Sequence, residues 1–171
     1  MVAPKTNAYS LIEAKPFSPH LGAEVYGVDL SETISDAQFA EILDAFLKYQ
    51  VLFFKNQKEI PPEQHVIFGK RFGPLHAHPA APTMEGHPEI FEIHATKDSK
   101  VANGEFWHSD VSCDDTPPLG TMLQIHIAPP YGGDTMFSNM EAAYDDLSDP
   151  MKKMLGGLTA LHSSEHIYKG R

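Results

Sequence analysis

The feature that most restricts the fold of this chain is a change of hydrophobic periodicity at Gly73-Pro74. Before it, two helical patterns stand out. Ser35-Asp36-Ala37-Gln38 forms a capping box, with Ser35 placed to cap and Gln38 to reach back. Phe39, Ile42, Leu43, Phe46 and Leu47 then recur at helical spacing, which predicts an amphipathic helix over Asp36 to Tyr49. Pro61-Pro62 opens a second helix that runs to about Phe72, since proline is tolerated in a first turn. Ala23 to Leu30 alternates as a strand, and Val51 to Phe54 is a short apolar run of the buried-strand type.

After Gly73-Pro74 the patterns shorten. His76 to His87 reads as an extended loop, broken by proline and glycine. Ile90 to His94, Phe106 to Ser112, Thr121 to Ile127, Thr135 to Ser138 and Leu158 to Ser164 are strand candidates. They are punctuated by turns at Thr116-Pro117-Pro118 and Tyr131-Gly132-Gly133-Asp134. A second capping box, Ser138-Asn139-Met140-Glu141, opens a helix ending near Leu147. Helices first and short strands later predict an α+β chain with a β-sandwich or jelly-roll core, in one domain over residues 1–171.

Composition narrows the function. A formal charge of -10 repels polyanions, which argues against a nucleic-acid partner. No run approaches the length of a membrane span, and the first seventeen residues lack the apolar core of a signal peptide. The single cysteine, Cys113, excludes an internal disulfide framework and suits a reducing compartment, so a cytoplasmic protein is expected. Ten histidines in 171 residues raise the prior for a metal site.

His108-Ser109-Asp110 is where that prior focuses. On a strand, residues i and i+2 share a face, so an imidazole and a carboxylate at that spacing can hold one ion together. With a distant second histidine they form the facial triad of non-haem iron(II) oxygenases, which leaves coordination positions open. Chance alone supplies about 0.6 His-x-Asp pairs at this composition, so the pair by itself is weak.

Its surroundings strengthen it. Trp107-His108-Ser109-Asp110-Val111 is followed by Thr116-Pro117-Pro118, then Gly132-Gly133-Asp134-Thr135, then Ala142-Ala143-Tyr144. Upstream stand Gly27-Val28-Asp29-Leu30, Arg71-Phe72-Gly73 and His76-Ala77-His78-Pro79. This ordered series closely resembles the taurine dioxygenase family. The resemblance implies a double-stranded β-helix (jelly-roll) core with flanking helices, and Fe(II), 2-oxoglutarate and O2 as cofactor and co-substrates. It also implies hydroxylation of a small organic acid with release of succinate and CO2. His108 and Asp110 match two iron ligands, Thr135 a residue that bonds a 2-oxoglutarate carboxylate, His78 a substrate-contacting histidine, and Val111 a pocket-lining position. A homo-oligomer is expected by the same analogy.

The departures from the family matter as much. Family members continue past the position of Arg171 and supply a distal iron histidine and an arginine for 2-oxoglutarate, neither of which has a match here. The domain is therefore expected to be incomplete at its C-terminus, with weak iron binding and poor turnover by these residues alone. Ala81, Gly104 and Tyr168 replace an aromatic, an amide and an aromatic of a taurine pocket, which argues against taurine and for a bulkier or more apolar acid. Two other readings stay open. One is a cupin-like metal hydrolase or isomerase using His76 and His78. The other is a jelly-roll paralogue acting as a binding or subunit protein.

Overall fold

The computed structural model describes residues 9–77, 82–96, 98–99, 104 and 106–165. Its ordered core lies in the first part of the chain. Strand β1 (Glu13–Pro16) pairs antiparallel with β2 (Ala23–Tyr26), and β2 pairs parallel with β3 (Leu52–Phe54), giving the sheet order β1-β2-β3. A parallel pair needs a long crossover. Helix α1 (Asp36–Tyr49) supplies it.

Helix α1 has the bounds its periodicity predicts. The Ser35 hydroxyl accepts from the Gln38 N–H, as a cap should. The Gln38 side chain, however, does not close the capping box. Its amide donates to the carbonyls of Gly27 at 3.1 Å and Leu11 at 3.4 Å, which ties the first turn of the helix to the sheet. The expected strand over Ala23 to Leu30 stops at Tyr26 because Gly27 takes φ 79°, a left-handed backbone that ends the ladder. Val28 and Leu30 are nevertheless buried.

Helix α2 spans Pro62–Lys70, shorter than expected. Arg71 to Gly73 instead close it with three-residue hydrogen bonds. The Arg71 guanidinium stacks over the Phe39 ring at 4.3 Å and donates to the Ile34 carbonyl and to Asp36 at 2.6 Å, joining the end of α2 to the start of α1. Phe39, Phe68 and Phe72 then meet edge to face, with Phe39 and Phe72 ring centres 4.9 Å apart.

His65, on α2, is half-buried and hydrogen-bonds the Met122 backbone. Burial pushes its pKa below the ordinary histidine value; the Met122 bond opposes this, and nearby His126 adds to it. The unfolded chain therefore binds this proton more readily than the folded one, and stability falls as pH drops below the ordinary histidine range. Urea midpoints at about pH 7.5 and about pH 5.5 should differ in that direction, and His65→Gln should shrink the difference. An undiminished difference would place the effect on other groups.

The second sheet is a small hairpin, β4 (Thr83–Met84) with β5 (His87–Phe91), turning at Glu85-Gly86. The hairpin takes residues expected to be loop, and β5 starts and ends three residues before the predicted strand over Ile90 to His94. Helix α3 (Met140–Asp145) is capped by Asn139, one residue later than predicted, through a 2.9 Å bond to the Ala142 N–H. Helix α4 (Asp149–Leu155) has no counterpart in the predicted elements, although Ser148 before Asp149-Pro150 is a recognisable start. The α3 region is docked on the first sheet. Asn139 donates to the His20 carbonyl at 2.7 Å, Gln50 to Glu141 at 3.1 Å, and Phe137 meets Phe53 at 6.3 Å.

Four predicted strands need correction. Among the described residues, 106–112, 121–127, 135–138 and 158–164 form no ladder. The alternation in these segments sets which side chains share a face, but a strand exists only where a neighbouring chain pairs its backbone groups. No residue beyond Phe68 is buried among the described ones, and large apolar side chains there lie open, with Ile127 at 88% and Leu161 at 95% exposure. The architecture is α+β, and these residues do not by themselves close a jelly roll. No helix among the described residues is long and apolar enough to cross a membrane.

Candidate active site

His108 and Asp110 do come together, but not through strand spacing. Asp110 begins a turn over residues 110–113, in which the Asp114 N–H donates to the Val111 carbonyl at 3.1 Å. Val111 has φ 50°, which no regular strand contains. Across this bend the His108 Nε2 lies 3.3 Å from Asp110 Oδ1, both side chains about half-exposed.

The orientation of the imidazole follows from its other nitrogen. His108 Nδ1 is 2.6 Å from the Phe106 carbonyl oxygen. A carbonyl only accepts, so Nδ1 carries a proton, and in the neutral form of the ring the Nε2 lone pair faces Asp110. A lone pair facing a carboxylate oxygen is repulsive unless a cation or a proton lies between them. A backbone carbonyl behind one imidazole nitrogen is also the usual support for a metal-ligating histidine. The second oxygen of Asp110 is held too, because the Thr121 hydroxyl donates to Oδ2 at 2.8 Å. The donor set of this pair therefore fits a divalent ion.

The other predicted site residues are less gathered. Thr135 is exposed, and among the described residues no hydrogen bond joins it to the pair. Val111 is half-buried within the turn itself. His78 lies outside the described residues, as do Ala81 and Tyr168. Gly104 stands beside the pair, where an added Cβ would come 3.6 Å from His108 Cε1. Among the described residues no cluster of three His, Cys, Asp or Glu could hold an ion, so the candidate site here is the His108–Asp110 pair alone.

Thr121 and His162 escape sequence reasoning, and His76 is singled out there only as a possible ligand beside His78. Thr121 grips Asp110, His76 lies 3.0 Å from Asp114 Oδ2, and the His162 Nδ1 lies 3.0 Å from the Ser112 hydroxyl.

Comparison with known proteins decides the assignment. The model of the taurine catabolism dioxygenase TauD, TfdA family matches residues 13–170. The chain belongs to the TauD/TfdA family. An alkylsulfatase of Acinetobacter baylyi is 34% identical over 164 residues, covering 96% of this chain and 51% of the relative. An alpha-ketoglutarate-dependent sulfate ester dioxygenase of Pseudomonas putida is 31% identical over 92% of this chain and 51% of its own length. A taurine dioxygenase from Burkholderia xenovorans superposes with a TM-score of 0.70 at 36% identity, over 86% of this chain and 52% of that one. The fold is that of TauD/TfdA dioxygenases, a jelly-roll family, and the chain spans about half the length of the curated relatives it matches.

Proposed function

We propose that this chain carries the His-x-Asp side of the active site of an Fe(II)- and 2-oxoglutarate-dependent dioxygenase acting on a sulfate ester, sulfonate or related small organic acid. The observation that carries this reading is the Phe106 carbonyl behind His108 Nδ1, which aims Nε2 at Asp110 Oδ1. His108 and Asp110 would hold Fe(II) from one side, and Thr121 keeps the carboxylate from rotating away. The bound group supplies oxidative chemistry, with 2-oxoglutarate and O2 consumed and succinate and CO2 released as the substrate is hydroxylated.

The remaining tasks fall to the chain's own side chains. By resemblance to the family, the Thr135 hydroxyl would donate to a carboxylate of 2-oxoglutarate, His78 would contact the acid group of the substrate, and Val111 would line the space beside it. The small residues Ala81 and Gly104 would make room for a larger or more apolar substrate than taurine. The relatives named for alkyl sulfates and sulfate esters favour the same direction. A half-exposed pair of two ligands holds iron weakly, so binding is a better property to test on this chain than turnover.

The test is an anaerobic titration with Fe(II) and then 2-oxoglutarate, following the visible metal-to-ligand charge-transfer band. A band that disappears in Asp110→Ala supports the site. No band in a folded chain, or one indifferent to Asp110, would sink it.

A further inference from the structure

Val111 carries a backbone conformation that nothing in its own chemistry favours. At φ 50° a side chain's Cβ crowds the following carbonyl, and a β-branched residue rarely tolerates it. The other two non-glycine residues with positive φ among those described have ordinary reasons for it. Gln50 is the C-cap of α1, and Asn56 is a residue type at ease in that region. Such strain persists only where the surroundings over-determine it.

The surroundings of Val111 do so from both sides. Ser112, next in the chain, has its hydroxyl 3.0 Å from His162, fifty residues further on. Asp114, which closes the turn onto the Val111 carbonyl, has Oδ2 3.0 Å from His76, thirty-eight residues back. Asp110, on the other side, is held by Thr121. Residues from three separate stretches therefore fasten one five-residue turn.

We propose that His76 and His162 are positioning residues that clamp the 110–114 turn in its left-handed form and so keep Asp110 within reach of His108. The hydrogen bonds through which these histidines reach the turn go to Asp114 and Ser112, and both act through those two residues. Released from the clamp, Val111 relaxes to negative φ, and this reorients the peptide that carries Asp110. Glycine has no preference between the two backbones. The clamp therefore matters with valine at 111 and ceases to matter with glycine there.

That interaction between sites is the test. Four chains are compared: the parent, the double variant His76→Ala/His162→Ala, Val111→Gly, and the triple variant. Two quantities are read, the exchange rate of the Asp114 amide and the Kd for Mn(II). With valine at 111, removing the clamp should speed exchange and weaken Mn(II) binding by about tenfold each; with glycine, both changes should stay under about twofold. His76 has a further partner, so its removal alone also costs something unrelated to the turn. Comparing the two backgrounds cancels that contribution. Equal effects in both backgrounds, or none in either, overturn the proposal. The Mn(II) readout rests on the metal-site reading above, whereas the amide exchange does not. A parent chain that binds no Mn(II) but shows the expected exchange pattern overturns the metal reading alone.

Discussion

Ile42→Ala should destabilise this chain by about 2–5 kcal/mol, read as a lower urea midpoint by circular dichroism. Ile42 is fully buried at the centre of α1, and only eleven hydrophobic residues are buried among those described. Deleting its outer carbons removes their transfer free energy and leaves a cavity within the buried apolar cluster to which Ile42 belongs. Domains of this kind have a net stability of about 5–15 kcal/mol, so one such loss is a large share of the total. The same helix provides the control. Leu47 is 63% exposed, and Leu47→Ala should change the midpoint by no more than about 0.5 kcal/mol equivalent. Similar losses at the two positions would mean that α1 does not pack as described.

The second large effect is expected at the metal pair. Asp110→Ala should weaken Mn(II) binding by at least about 100-fold, because removing a ligand must exceed the roughly 10–100-fold cost of losing a supporting group. Thr121→Val measures that smaller cost directly. It keeps the shape of the side chain and deletes the hydroxyl that donates to Asp110 Oδ2, so a loss of about tenfold is expected with the thermal midpoint little changed. Calorimetry or the Mn(II) resonance spectrum gives both values. If Asp110→Ala binds as well as the parent, the carboxylate is not a ligand; if Thr121→Val equals Asp110→Ala, the hydroxyl is doing more than orienting.

What could be read from the residues depended on whether the deciding interactions were local. Helix α1 was legible end to end, since Ser35 caps it and its apolar stripe is intrinsic to fourteen consecutive residues. The segment over 121–127 shows equally regular alternation, yet it forms no strand among the described residues, because pairing depends on a neighbour that local pattern cannot supply. The site divides in the same way. His108 and Asp110 could be singled out together, but the reason offered, two side chains on one strand face, is replaced by a turn through Val111. Thr121, His76 and His162 reach their partners across 11, 38 and 50 residues, separations at which a hydroxyl or an imidazole looks like any other surface residue.

Every buried residue among those described precedes His108, the last of them being Phe68. On a ribosome adding roughly 5–20 residues per second, Phe68 is made about 2–8 s before His108. The residues that fill the core and those of the candidate site are thus separate, successive stretches of the chain. Substitutions in the first seventy residues would then be felt as yield of soluble product, and substitutions after residue 104 as quality of the site, two phenotypes that a screen for activity alone would merge.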